Sequence, residues 1–515
     1  QSILQLMLGK ILEGKMTEKT KIVMFNPRGS LKIPYDGPPM ALLVACSCLD
    51  LKKYNIKIID WHYPDYEKRL IKECKNATIF GVTCLSGYQI KGMLESVKLV
   101  KKINPNIKVV CGGWHPTFMP EQTLECRYID YIVMGQGQRT FKNLIECIEK
   151  RKEPKNLKGV AYRDEDNQVK VNETPLPEPI STFPPTPYHL LEDNEFFFTS
   201  TKFGERVAFL LTSIGCPFNC GFCSEAGFYK RRWSGRSPDN IIKEVLEFKN
   251  KYNIDAVIIS DSNFFVSEER VAEFCKKMAK IGVKWGGTSA RADSLARYSE
   301  ETWKLMKKSG LKGILIGTES ANNETLKLMN KGCKIEDSLK AIEMATKHGL
   351  EMECPLIIGF PGIDIEKDFK INMKFVNDQL GKVNQFHMYV YTPYPGTGLL
   401  KKAIEHGYKL PKNLEGWINY SLHTKITPWI PEKYVEITDQ LSVYFQFLAG
   451  NVRKVIKATI PKPLQGVMLI SERILYKLSY LRVKNSFFRF PIEYRIIKFL
   501  ALHRDLLLGN KKLVY

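Results

Sequence analysis

No stretch of this sequence approaches the ~18 uninterrupted apolar residues that a bilayer-spanning helix needs. Nothing near its first residues has the charged, then apolar, then small-residue pattern of a secretory leader, so a cytoplasmic protein is expected. The opening QSILQLMLGKILEGK lacks an initiating Met, whereas Met16 precedes a sensible domain start, and residues 1–19 are read as an extension without function. Acids are in deficit, 55 against 77 Lys and Arg, for a net charge of +22. Histidine is sparse at eight, and a lone His is more often a satisfied structural residue than a ligand. Disulfide spacing is absent too. Of thirteen cysteines, ten lie scattered between Cys46 and Cys354, which fits a reducing compartment. Only Cys46 and Cys48 among those ten are close together, and their spacing on an apolar segment reads as core packing.

What is present is concentrated in Cys216-Pro217-Phe218-Asn219-Cys220-Gly221-Phe222-Cys223. Three thiolates on one short loop hold three irons of a four-iron cluster and leave the fourth iron open. Thiolate is the soft ligand such clusters require, and one loop of three differs from the paired two-Cys knuckles of a zinc site. An apolar strand-like lead-in, Val207 to Ile214, precedes it. The pattern resembles the radical S-adenosylmethionine (SAM) superfamily. That resemblance implies a 4Fe-4S cluster ligated by Cys216, Cys220 and Cys223, SAM chelated at the open iron, reductive SAM cleavage to a 5'-deoxyadenosyl radical, anaerobic chemistry, and a reducing partner such as ferredoxin or flavodoxin.

At 515 residues two to four domains are expected. Residues 20–150 alternate short apolar strands (KIVMFNP, IKIIDW, TIFGVTC, IKVVCGG, DYIVMGQG) with helical stretches, which predicts an α/β, doubly wound parallel sheet. Ligands of such sheets sit beyond the carboxyl ends of the strands. Those ends carry Thr83 and Ser86, the run Gly112-Gly113-Trp114-His115-Pro116-Thr117, and Gly135-Gln136-Gly137-Gln138. With Pro38-Pro39-Met40-Ala41-Leu42-Leu43, they resemble the cobalamin-binding domain fused to many radical SAM enzymes, and imply cobalamin contacts from Thr83, Ser86, Gly112, Gly113, His115, Gly135 and Gly137. The D-x-H-x-x-G motif that gives cobalt a His ligand is missing: Asn26-Pro27-Arg28-Gly29 stands in its place. Asp60-Trp61-His62 follows the wrong strand and is assigned no cobalt role. Residues 151–205 form a connector, read as an extended strap because six prolines fall between Pro175 and Pro187.

Residues 206–400 repeat a βα pattern: VAFLLTSIG, AVIISDSN, VKWGGTSARAD, GILIGTES, ECPLIIGFPG and QFHMYVYTPYPG, which fit a partial (β/α)6 barrel with its active face at the carboxyl ends. Ser237-Pro238 supplies a helix N-cap and first-turn proline. The resemblance places Phe222 against the SAM adenine, and Ser260 and Asp261 at the SAM amino group. It places Arg291 as a two-point fork on the SAM carboxylate, with Glu319 pairing Arg291 or holding the ribose. Read without it, Asp261 is equally a helix cap and Arg291 with Glu319 a structural ion pair. Tyr389, Tyr391 and Tyr394 are the candidates for proton or radical handling, although most such tyrosines are packing.

Residues 401–515 read as a basic, mostly helical domain, with Lys and Arg interleaved among large apolars. From Asn451 onward there are fourteen Lys/Arg against three acids. Helices of this kind lie in an anionic membrane interface, or else cover the barrel with their cations reaching into water. Nucleic acid fits less well, since no RNA-binding module is recognisable. The chain from about 20 to 500 resembles the cobalamin-dependent group that includes the anaerobic magnesium-protoporphyrin ester cyclase and the hopanoid methylases. The expectation is therefore methylation or cyclisation at an unactivated carbon of a hydrophobic small molecule or lipid. The alternatives are a radical SAM enzyme without cobalamin, and a sensor or partner-docking protein with a vestigial cluster.

Overall fold

The computed structural model describes residues 19–29, 37–191, 197–420, 425–460 and 462–502. Residues 1–18 of the expected extension, and the tail cations Arg504, Lys511 and Lys512, lie outside the described residues.

The first sheet contains β1 (Thr20–Asn26), β2 (Tyr54–Asp60), β3 (Ile79–Thr83), β4 (Lys108–Gly112), β5 (Tyr131–Val133), β6 (Val160–Arg163) and β7 (Val169–Val171), in the order β2-β1-β3-β4-β5-β6-β7. The first five are parallel. Ile22, Val23, Met24 and Phe25 are all buried, so both faces of the central strand are covered by helices, as the continuous apolar run requires. The strand order reverses between β1 and β3, and that reversal opens a crevice at their carboxyl ends.

The connector departs from the expected strap. Its first half forms β6 and β7, which pair antiparallel with β5 and with each other through Ile132↔Ala161 and Tyr162↔Lys170. The segments VAYR and VKV flank a polar turn and carry a hairpin signal of their own, which the downstream prolines masked. Through the proline-rich stretch that follows, the described residues up to Leu191 form two single 3-10 turns, Ile180–Thr182 and Tyr188–Leu190.

The second unit starts with β8 (Thr199–Thr201) and β9 (Gly204–Leu210), then a hairpin of β10 (Ser213–Gly215) and β11 (Trp233–Gly235) that brackets the cysteine loop. It continues with β12 (Ala256–Ile259), β13 (Lys284–Gly286), β14 (Thr288–Arg291), β15 (Gly313–Gly317), β16 (Glu351–Ile358) and β17 (Gln385–Val390). The segment read as one strand, VKWGGTSARAD, is two. Gly287 turns the chain at φ +71°, where a Cβ would lie 2.9 Å from Ile258 Cγ2. β13 therefore joins β9 and β12, while β14 starts the sheet β14-β15-β16-β17. A parallel bridge, Trp285↔Leu311, spans the seam. The result is an open barrel of parallel βα units. Ser237 caps the helix Pro238–Tyr252 by accepting from Asn240 N–H.

Along β16 and β17 burial alternates: Met352, Cys354, Leu356 and Ile358 pack outward against helices. Glu353, Ile357, His387 and Tyr389 then face the lumen. Beyond the barrel the chain is helical: Glu432–Leu448 packs on β17 through Phe386 and Phe445, whose rings are 5.7 Å apart, and Asn451–Thr459, Lys462–Lys484 and Ile492–Leu502 follow.

Candidate functional site

Cys216, Cys220 and Cys223 lie in the loop between β10 and the short helix Glu225–Phe228. Gly215 turns the chain into this loop at φ +71°, and a Cβ there would meet the Arg232 carbonyl at 2.1 Å. Two later segments clamp the loop: Gly221 N–H donates to Met329 O (2.6 Å), Leu399 N–H to Gly221 O (2.7 Å), and Asn330 Nδ2 to Asn219 O (2.9 Å). All three thiols are half-buried. Burial raises the Cys216 thiol and pushes Cys223 up to about 12, so the thiolate form needs a cation to pay for it. N–H donors already point at two sulfurs, Arg291 to Cys220 Sγ at 3.1 Å and Asn263 Nδ2 to Cys216 Sγ at 3.7 Å. Donors aimed at sulfur are the outer support of an iron-sulfur cluster, and these residues fit one.

The strand-end residues are distributed differently from expectation. Asp261 caps no helix and does not face an open site: its buried carboxylate accepts from Thr212 N–H (2.7 Å), Thr212 Oγ1 (2.6 Å) and Ser213 Oγ (2.6 Å). Burial raises its pKa against those bonds. It fixes the strand that launches the cysteine loop, while Ser267 does the capping downstream. Ser260 is exposed, tied to Leu210 O only through its backbone N–H.

Arg291 does not present a free fork. Its Nε bonds Asp293 Oδ1 at 2.9 Å, one terminal nitrogen bonds Cys220 Sγ, the other bonds the Lys331 carbonyl, and its guanidinium carbon stands 3.8 Å over the Phe218 ring. Glu319 pairs with Lys331 instead, Oε1 to Nζ at 3.0 Å. Glu319 sits at φ +59°, held by Glu319 N–H to Pro355 O (2.8 Å) and Ile357 N–H to Glu319 O (2.7 Å). A non-glycine residue in that region is uncommon and marks a constrained site. Lys331 went unread in the sequence, although its place between Asn330 (φ +50°) and Gly332 (φ +69°) in N-K-G is a turn signal. Burial lowers its pKa, but the Glu319 and Cys220 charges outweigh it and the ammonium is retained. Its Nζ also lies 5.5 Å over the Phe222 ring, which meets Phe360 edge-on.

The three tyrosines separate. Tyr389 faces the lumen, stacked 6.1 Å from His387, its hydroxyl raised by burial and by the Glu353 and Glu319 charges. Below it His387 Nε2 is 2.9 Å from Glu353, which also binds Lys202. Burial opposes ionisation of Glu353, but His387 and Lys202 prevail and bring it down to about 2. Tyr391 is core, 4.6 Å from Phe360. Tyr394 packs on Tyr420 at 6.2 Å, and burial pushes it up to about 12.

At the β1/β3 reversal lies a cavity of about 380 Å³. Thr83, Gly112, Gly113, Gly135 and Gly137 line it, with amides from Asn26, Gln89 and Gln138 and the Pro38–Leu42 segment. Gly113 (φ +107°) and Gly135 (φ +69°) need glycine, since a Cβ on Gly113 would lie 2.7 Å from Cys84 O. Bare backbone ringed by amides suits a large, amide-fringed ligand, and these residues fit a corrinoid. Ser86 and His115 do not line it. They bond each other, Oγ to Nδ1 at 2.9 Å, and burial brings His115 down to about 4, which keeps it neutral. His62 is likewise turned onto Asp60. The far wall comes from the barrel: Leu211, Ile214, Phe228 and Tyr229, the latter three flanking the cysteine loop in sequence. Trp114 closes the junction, 4.2 Å from Phe228.

Comparison with known proteins agrees with this construction. Residues 210–371 match the radical SAM superfamily and residues 30–145 the B12 binding domain. An uncharacterized methyltransferase of Pyrococcus horikoshii is 32% identical over 393 residues, covering 75% of this chain and 82% of its own. The anaerobic magnesium-protoporphyrin IX monomethyl ester cyclase of Rubrivivax gelatinosus is 29% identical over 316 residues, 60% of this chain and 55% of that protein, so the chain spans about half the cyclase's length. The solved cobalamin-dependent SAM radical enzyme OxsB shares the fold at TM-score 0.65 and 20% identity, over 95% of this chain and 76% of that one. With the tricysteinyl loop at the mouth of one unit and the glycine-lined crevice of the other facing it, the chain belongs to the B12-binding branch of the radical SAM superfamily, enzymes that use a 4Fe-4S cluster, SAM and cobalamin.

Proposed function

We propose that this enzyme methylates an unactivated carbon of a hydrophobic, lipid- or tetrapyrrole-like substrate held in the barrel lumen. The observation that carries this reading is the shared wall: Ile214, Phe228 and Tyr229 border the crevice of the first unit and sit beside the cysteine loop of the second. When bound, the cluster with SAM supplies a carbon-centred radical and cobalamin a transferable methyl group. Placing both at one cleft replaces a collision of several components by a positioned reaction.

In this proposal Cys216, Cys220 and Cys223 hold three irons, and Arg291 and Asn263 tune the sulfurs by hydrogen bonding. Arg291 is thus a positioning residue for the cluster. SAM is held by Ser260 at its amino group, by Glu319 at its ribose and by Phe222 at its adenine, with Lys331 neutralising Glu319. Thr83, Gly112, Gly113, Gly135 and Gly137 cradle the corrinoid. Tyr389 is the tyrosine placed to hold or pass a proton in the lumen, since Tyr391 and Tyr394 are taken up in packing. Methyl transfer is favoured by the name of the Pyrococcus relative, and ring closure, the cyclase's reaction, is the second reading. Anaerobic reconstitution with iron, sulfide and hydroxocobalamin, followed by reduction with SAM, tests it. Methyl transfer predicts both 5'-deoxyadenosine and S-adenosylhomocysteine. Cyclisation gives the first without the second, and neither product defeats both readings.

A further inference from the structure

We propose that the helix Lys462–Lys484 docks the protein on the surface of an anionic lipid bilayer. At ~100° per residue, Leu464, Val467, Ile470, Ile474, Leu478 and Leu481 fall within one arc of about 120°. They are between 38% and 69% exposed. The roughly opposite side of the same helix carries the buried Glu472, Ser479 and Val483. The apolar side therefore faces away from the protein, and Phe490, 79% exposed in the following turn, extends it. Scattered exposed aliphatics are ordinary on a monomer, but a contiguous ridge marks an interaction surface.

Charge identifies the occupant. Residues 451–502 contain eleven Lys/Arg and two acids. Both acids are used internally: Glu472 binds Arg453 at 2.7 Å and Glu493 binds Arg482 at 2.8 Å. Nine cations remain without an acid in that segment. Lys462, Arg473, Lys477 and Lys484 run along one flank of the ridge, at the angle between its apolar crest and its buried side. Apolar crest and cationic flank together are the signature of a helix lying in a lipid interface, the crest among acyl chains and the flank at the headgroups. No described helix is long and apolar enough to cross a membrane, so the contact is with one surface. A second copy of the chain is disfavoured, because ridge-to-ridge pairing brings two cationic flanks together. Nucleic acid is disfavoured as well, because the six crest residues are aliphatic and offer bases no hydrogen bonds, and the exposed rings of this helix, Tyr476 and Tyr480, lie off the crest.

The test is flotation of the full chain with phosphatidylcholine vesicles that contain or lack phosphatidylglycerol. It needs neither cofactors nor turnover, so its failure leaves the methyl-transfer reading untouched. The full chain is expected to float with the anionic vesicles and to release as salt rises. Arg473→Gln and Lys477→Gln should each weaken partitioning roughly fivefold. The triple change Ile470→Ser, Ile474→Ser, Leu481→Ser should weaken it tenfold or more while leaving the circular dichroism unchanged. Absence of flotation overturns the proposal, as does equal binding to neutral vesicles. A stable dimer in light scattering that the serine variant converts to monomer assigns the ridge to a second copy and overturns it too.

Discussion

The buried Lys331–Glu319 pair holds the carboxylate proposed to meet the SAM ribose. The two side chains are 4% and 13% exposed and lie 3.0 Å apart. At an effective dielectric constant of about 20, two unit charges at that distance attract by about 5.5 kcal/mol, most of which desolvation offsets. Removing one member strands the other as a buried charge, at a cost of about 3 to 5 kcal/mol. Lys331→Met is expected to lose that amount. In a domain of barrel size this is a fall of about 6 to 20 °C in the melting transition. Glu319→Gln with Lys331→Met should recover part of the loss, giving a coupling free energy of at least ~1.5 kcal/mol in a double-mutant cycle. Calorimetry of the four apo proteins measures it, and equilibrium dialysis of SAM against the reconstituted forms gives an independent readout. Strict additivity of the two substitutions would refute the pairing. Unchanged SAM affinity in Glu319→Gln would remove Glu319 from the proposed ribose site.

Replacing Cys216, Cys220 and Cys223 together by Ala should abolish reconstitution of about four irons and four sulfides per chain, and retention of the cluster in iron and sulfide assays defeats the assignment. Asp261→Ala should lower cluster occupancy without touching iron, because three hydrogen bonds to Thr212 and Ser213 are lost at about 1 kcal/mol or more each; an unchanged occupancy denies it a positioning role. His115, held at about 4 against an ordinary value near 6.5, binds a proton more readily when unfolded, so the stability its neutral form provides is present above pH 6.5 and lost as pH falls toward 4. Urea titrations of wild type and His115→Gln should converge by up to about 3 kcal/mol over that window, and parallel curves contradict the assignment. Glu353, held at about 2, contributes stability above pH 4.5 that disappears as pH falls through 2, so Glu353→Gln should flatten the acid limb of the same titration.

Much of this protein was legible in one dimension because the relevant signals are local. Three cysteines in eight residues point to the proposed cluster loop whatever surrounds it, since ligand spacing on one loop is set by covalent reach. Continuous apolar strands such as those of β1 and β3, alternating with helices, fix a parallel doubly wound sheet, because only two covered faces bury such runs. The break at Gly287 and the β6–β7 hairpin were hidden: the first depends on which sheet the flanking strands join, and the second was outweighed by neighbouring prolines.

What tertiary structure decided is partnership. Sequence put Arg291 and Glu319 at adjacent strand ends, but only the fold turned Arg291 onto Asp293, Cys220 and the Lys331 carbonyl, and gave Glu319 to a lysine twelve residues on. It likewise closed Asp261 and His115 onto neighbouring hydroxyls, and stacked Tyr389 on His387 along the lumen face of β17. Charge type and spacing are written along the chain. Which buried charge neutralises which depends on desolvation, and desolvation exists only once the chain has packed.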